Sequence, residues 1–76
     1  MTMPIGKKLV AYHIARLKDK NAEVRLKSIQ ELAQLADTDA LPALEEVYKH
    51  DSDANVRRAA QLAGKTIFNL SRSSQK

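Results

Sequence analysis

The sequence predicts an all-α fold of four helices, arranged as two antiparallel helix-turn-helix hairpins. Three observations carry that prediction. The stretch Asp19-Lys20-Asn21-Ala22-Glu23-Val24-Arg25 returns 32 residues later as Asp51-Ser52-Asp53-Ala54-Asn55-Val56-Arg57, with Asp, Ala, Val and Arg at the same offsets. Each copy opens a run in which apolar residues recur at spacings of three and four, the period of an amphipathic helix. The composition, with two Gly, two Pro, no Trp and one Phe against abundant Ala, Leu, Lys, Gln and Glu, favours helix over strand.

The first helix is expected over about residues 4 to 18. Pro4 suits a first turn, and Ile5, Leu9, Val10, His13, Ile14 and Leu17 share one face. Asp19 to Asn21 form a polar turn in which Asn21 is the N-cap candidate. The second helix, about 22 to 36, carries Val24, Leu26, Ile29, Leu32, Ala33, Leu35 and Ala36 over more than half its circumference. That arc predicts neighbours on two sides.

Asp37-Thr38-Asp39 repeats the cap chemistry, and Pro42 falls where a missing N–H costs little. A third helix is expected over about 40 to 50, with Leu41, Leu44, Val47 and Tyr48 as its buried stripe. After Asp51-Ser52-Asp53, the fourth helix is expected over about 54 to 70, burying Val56, Ala59, Ala60, Ala63, Ile67 and Leu70. Gly64 inside it costs about 1 kcal/mol against Ala, which predicts close approach of another helix. Residues 1–70 are thus read as a single domain of two repeats, about 4–36 and 38–70, followed by a disordered basic tail over 71–76.

Size and charge limit the function. A 76-residue chain has a small core, and with no Cys it has neither disulfides nor thiolate metal ligands to add to it. No long apolar run predicts a membrane span, and the start of the chain lacks the apolar region of a secretory signal, so a cytoplasmic location is expected. The net charge of +4 falls to +2 once Arg72 and Lys76 are set aside, so the folded body is nearly balanced. Such a balance does not advertise nucleic acid.

Matched by sequence, Val24 pairs with Val56, Arg25 with Arg57, Ser28 with Ala60 and Leu35 with Ile67. In the first helices Val10, His13 and Leu17 pair with Leu41, Leu44 and Tyr48, at an offset of 31. With its Asp-rich turn followed by Val-Arg and small residues, the run from Ala40-Leu41-Pro42-Ala43-Leu44 through Asp51, Asp53 and Val56-Arg57-Arg58-Ala59-Ala60 resembles the HEAT repeat family. The first unit departs from that pattern at Lys27-Ser28, where small residues are usual. The resemblance covers about residues 5 to 70 and implies a short right-handed α-solenoid fragment that serves as a scaffold for protein binding. The Asp-x-Asp-x-x-Val-Arg-x-x-Ala pattern also resembles the short HEAT-like repeats of phycobilin lyase-type proteins, which implies an accessory role in pigment attachment beside a partner subunit.

Arg25 projects near the centre of the apolar arc of its helix, where an unpaired cation is costly. It therefore needs a carboxylate from Asp19, Asp51 or Asp53, and Arg57 repeats the arrangement. By analogy with the family, Asp19, Arg25, Asp51, Asp53 and Arg57 are read as a structural ladder that stacks the repeats.

Arg58, Lys65 and Arg72 recur every seven residues as a basic stripe. The residues expected to bind a protein partner are Lys27, Gln30 and Gln34 on the second helix and Arg58, Gln61, Leu62, Lys65 and Phe68 on the fourth. The resemblance puts second helices on the concave surface. Binding of nucleic acid or another polyanion through the stripe and tail is the alternative, although no aromatic interleaves it for base stacking.

His13 and His50 have no ligand residues at i+3 or i+4, and Glu45 and Glu46 lie about 100° apart on a helix, so neither a metal site nor a carboxylate dyad is predicted. With no phosphate loop, nucleophile motif or cofactor motif, the chain is read as non-enzymatic. It is expected to be an adaptor, small subunit or assembly factor, monomeric or weakly self-associating.

Overall fold

A computed structural model describes residues 5–73, which form four α-helices. These are α1 (Ile5–Arg16), α2 (Ala22–Leu35), α3 (Leu41–His50) and α4 (Ala54–Ser73), with a 3-10 turn at Thr38–Ala40 before α3. α1 packs on α2 and α3 on α4, and α2 packs against α4 to join the two hairpins. The array is a slab of 35 × 30 × 16 Å.

Each boundary has a local cause. The N–H groups of Leu17, Lys18 and Asp19 donate to the carbonyls three residues back, so the end of α1 tightens before the turn. Asn21 caps α2 by accepting the Glu23 N–H at 2.8 Å. At the other end, Ala36 takes a left-handed φ of 53° and its N–H donates to Leu32 O. Ala36 therefore ends α2 rather than belonging to it. Asp37 accepts the Asp39 N–H, and Asp53 caps α4 by accepting the N–H groups of Asn55 and Val56 at 2.8 and 3.1 Å.

α4 runs to Ser73, three residues beyond the expected end, so residues 71 to 73 are helix and not tail. Nothing between Leu70 and Ser73 breaks a helix, and the Arg72 guanidinium lies 5.7 Å from the centre of the Phe68 ring one turn earlier. The expected role of Pro4 and the fate of residues 74–76 lie outside the described residues.

The core runs through the joint between hairpins. Val10, Leu17, Ile29, Leu32, Ala40, Leu44, Val47, Val56, Ala60, Ala63 and Ile67 are buried together, with Ile14, Leu26 and Ala33 packed against them. Burying a side chain such as Ile29, Leu32, Leu44 or Ile67 contributes roughly 1.5–3 kcal/mol.

Three residues assigned to buried faces are instead exposed: Leu9, Tyr48 and Leu70. Tyr48 explains why. Its counterpart Leu17 is buried and lines a hollow with Pro42, Ala43 and Val47 of α3, whereas Tyr48 has no third hairpin to meet among the described residues. The apolar stripe is real, but its burial depends on a neighbouring hairpin. Gly64 is a further correction, because a Cβ added there would meet nothing within 4 Å. Its counterpart Leu32 is fully buried in the core. The expected close approach is absent, and Gly64 borders open space.

Candidate functional site

The joint between the hairpins is built around Asp51. The Arg25 Nε and Nη2 donate to Asp51 Oδ2 and Oδ1 at 2.8 and 3.0 Å, a two-pronged contact that few other side-chain pairs can make. Both side chains are close to buried, at 12% and 8% exposed. The remaining prong of Arg25, Nη1, donates back to the carbonyls of Asp19 at 2.8 Å and Lys20 at 3.1 Å.

Asp51 Oδ1 also accepts the Asp53 N–H at 2.9 Å, and the Asp51 carbonyl accepts Arg57 Nη1 at 2.7 Å. Burial pushes the Asp51 carboxyl up, but the hydrogen bonds from Arg25 and the Asp53 N–H and the charges of Arg25 and Arg57 outweigh it. The group is held below its ordinary value of 3.8.

The five residues of the Asp-to-Arg stretches thus have different tasks. Asp51 alone meets Arg25 through its side chain. Asp19 gives Arg25 its carbonyl and uses Oδ1 to accept the Asn21 N–H at 2.9 Å. Asp53 is a helix cap. Arg57 makes the same backward bond as Arg25, to the carbonyl six residues earlier.

One contact at the joint had no signal in the helical pattern. Lys7, on the outer side of α1, donates to Asp37 Oδ2 at 2.7 Å and Asp39 Oδ2 at 2.8 Å. Its hydrogen bonds to Asp37 and then Asp39 raise the lysine pKa, and the same bond from Lys7 leads the lowering at Asp37. The link spans 30 residues, so only the antiparallel return of the chain brings these charges together.

The residues expected to bind a partner fall on two different faces. All of Lys27, Gln30, Gln34, Arg58, Gln61, Leu62, Lys65 and Phe68 are exposed. By the 32-residue match, Gln30 and Gln34 correspond to Leu62 and Thr66, along the side that both second helices share. Arg58, Gln61 and Lys65 correspond instead to Leu26, Ile29 and Ala33, the residues that α2 turns toward the second hairpin. The basic stripe therefore lies on the open end of the array, where a further hairpin would stack.

That end contains a groove of about 390 Å³ between α3 and α4. Leu41, Leu44, Tyr48, Ala60 and Gly64 line it, and Glu45, Gln61 and Lys65 form its polar edge. Gln61 Nε2 reaches Tyr48 Oη at 3.4 Å across it. In the first hairpin, the equivalent side of α2 is covered by α4, while the hollow lined by Ile14, Leu17 and α3 remains beside α1. At the opposite end of the array, a hollow is lined by Tyr12, His13, Arg16, Val24, Lys27, Ser28 and Glu31. Arg16 there lies 5.4 Å from the centre of the Tyr12 ring, and His13 Nδ1 is buried without a hydrogen-bond partner among the described residues.

Among the described residues no cluster of three or more His, Asp or Glu is placed to hold a metal ion, and no helix is long and apolar enough to cross a membrane. His13 and His50 lie on different helices, His13 at the rim of the end hollow and His50 exposed at the end of α3.

No curated protein and no solved structure matches the chain. The family model of HEAT repeats matches residues 5–64, which takes in both hairpins up to the middle of α4. That match is to the repeat family as a whole and does not single out the phycobilin lyase type. Two helical hairpins, a repeated Asp-to-Arg turn and a family match over most of the sequence agree: the chain belongs to the HEAT repeat family.

Proposed function

We propose that the protein is a non-enzymatic protein-binding module, an adaptor or small subunit, that takes a helical segment of its partner into the groove between α3 and α4. The observation that carries this reading is internal to the chain. The matching side of α2 in the first hairpin is covered by α4 of the second, whereas in the second hairpin the groove is open, with an apolar floor and a polar edge of Glu45, Gln61 and Lys65. HEAT repeats in general mediate protein–protein interaction, which agrees with this use of the fold.

The floor is narrow and low because Ala60 and Gly64 sit one turn apart on α4, which lets a helix backbone come close. Arg58 and Lys65 favour acidic residues on that helix, and Phe68, 51% exposed and two turns beyond Gln61, extends the apolar contact along α4, whereas Leu62 lies on the other face. The slab is 16 Å thick, so its hollows are open grooves suited to a macromolecular surface rather than enclosed pockets for a small substrate.

The test is site-specific photocrosslinking in a native extract, with the crosslinker at Gln61 in the groove and, as control, at Lys8 on α1. A partner captured from Gln61 and lost in Arg58→Glu/Lys65→Glu, with thermal stability unchanged, is the expected result. Equal capture from both positions, or none from either, overturns the assignment of the groove.

A further inference from the structure

Arg25 and Arg57 stand in the same local frame but differ in what they meet. Each donates Nη1 to the carbonyl of the Asp six residues before it, at 2.8 and 2.7 Å, and each helix starts behind an Asn or Asp cap that fixes that approach. The second edge of Arg25, Nε and Nη2, is filled by the Asp51 carboxylate. The corresponding edge of Arg57 meets no carboxylate among the described residues. The acids show the complementary difference. Asp19 and Asp51 each accept the N–H two residues on at 2.9 Å, yet only Asp51 also receives an arginine.

Among the described residues, the array therefore carries an arginine with no paired carboxylate at one end and an acid with no paired arginine at the other. Both are partly buried, and each keeps the local backbone bond that its counterpart makes in the filled pair. We propose that a second copy of the chain docks head to tail, with its α1–α2 face on the open α3–α4 groove, so that Arg57 of one copy grips Asp19 of the next as Arg25 grips Asp51. This rests on the reading of that groove as a protein-binding face and names its occupant.

Both end faces carry charges of either sign that can pair across a contact. The groove at the α3–α4 end carries Lys65 and Glu45, with Arg58 next to Arg57 on α4, while the hollow at the opposite end carries Glu23 and Glu31 with Lys27 and Arg16, the latter turned onto Tyr12. In the register of the internal repeat, Lys65 takes the place of Ala33 and Glu31 that of Ala63, two residues that belong to the packed joint.

The end faces are more polar than the joint, since Ile14, Ile29 and Ala33 are replaced by Glu45, Gln61 and Lys65. Association is accordingly weak, reversible and diminished by salt. Because the two faces differ, the contact is heterologous and can add a third copy to the first pair.

Sedimentation velocity of the 76-residue chain over a concentration series, at low and high salt, tests the proposal together with charge reversals. Wild type is expected to self-associate at high concentration and low salt. Arg57→Asp alone and Asp19→Arg alone are each expected to remain monomeric, because each sets like charges against one another. Mixing the two variants brings Arg57 of one onto Asp19 of the other and restores association.

Asp19→Asn keeps an acceptor for the Asn21 N–H and serves as the loss-of-charge variant if Asp19→Arg fails to fold, as judged by circular dichroism. A wild type that stays monomeric throughout overturns the proposal, and so do single variants that associate like wild type. A monomeric wild type that still captures a different protein from Gln61 overturns only the second copy as occupant and leaves the groove's protein-binding role standing.

Discussion

The guanidinium of Arg25 and the carboxylate of Asp51, 26 residues apart in sequence, face each other edge to edge at 2.8 and 3.0 Å across the seam between the hairpins. Neither side chain has much water to fall back on. Removing one partner leaves a nearly buried charge unpaired, and for such pairs the loss is about 3–5 kcal/mol. Arg25→Ala is therefore expected to lower the unfolding free energy by about 3 kcal/mol in urea titrations, a large share of the stability of so small a domain. Arg58→Ala, on an exposed face, is expected to change it by less than about 0.5 kcal/mol. Similar small losses in both would show that the pair does not hold the hairpins together.

Arg57 repeats Arg25 in sequence but not in contacts. It makes one charge-assisted bond to the Asp51 carbonyl and, among the described residues, no carboxylate pair, so Arg57→Ala is expected to cost about 1.5–2 kcal/mol at most. The order Arg25→Ala, then Arg57→Ala, then Arg58→Ala is the measurable outcome in one set of denaturation curves. If Arg57→Ala costs as much as Arg25→Ala at concentrations where the protein is monomeric, the contact to Asp51 O carries more than geometry assigns it.

The helices and their pairing were legible because period and capping are local properties of the chain. Val56, Ala60, Ala63 and Ile67 declare the inner face of α4 without reference to any other element. Partner choice was less legible. Asp19, Asp51 and Asp53 were equivalent candidates for Arg25, since helical spacing gives the direction of a side chain but not the offset between stacked hairpins.

Tyr48 and Gly64 were misplaced for a related reason. Their positions are interior ones in a repeat with a neighbour stacked on it, and only the folded array reveals which repeat is covered by another among the described residues. The basic stripe of α4 had the same ambiguity: Arg58 and Lys65 read as the shared side of the second helices until the match to Leu26 and Ala33 put them at the open end.

Asp51 also sets an acid limit. Its carboxyl is held below 3.8 in the folded chain, so the unfolded chain binds the proton more readily as pH falls. The stability it confers is fully present above its unfolded value and is lost as the pH drops through the lower folded value. Asp37, lowered chiefly by its bond from Lys7, adds in the same direction. Unfolding free energy is thus expected to be flat with respect to these groups near neutrality and to decline below about pH 4. Asp51→Asn should be less stable than wild type at pH 7 and show a shallower acid slope by circular dichroism. An unchanged slope would mean that other carboxylates govern the transition.

His13 corresponds by repeat position to Leu44, which is buried in the core. The histidine brings a buried Nδ1 with no hydrogen-bond partner among the described residues, a desolvation cost of about 1–3 kcal/mol that an apolar side chain avoids. His13→Leu is therefore expected to raise the melting temperature. A lowered melting temperature would show that the edge-on contact with the Tyr12 ring, at 5.1 Å between centres, outweighs that cost.

Gly64 separates stability from binding. It lies inside α4 with open space where its side chain would be, so Gly64→Ala gains helix propensity without a clash and should stabilise the chain by about 0.5–1 kcal/mol. Leu32 at the matching position is fully buried in the core that joins the hairpins, which places Gly64 on the floor that an occupant of the open groove would cover. Gly64→Leu should then leave the folded monomer at least as stable as wild type, yet weaken docking into the groove by obstructing its floor. The decisive comparison is thermal stability against sedimentation or crosslinking from Gln61 for the two variants. If Gly64→Leu binds like wild type, the groove floor is not the contact surface; if Gly64→Ala is destabilised, the space above Gly64 is occupied within the chain itself.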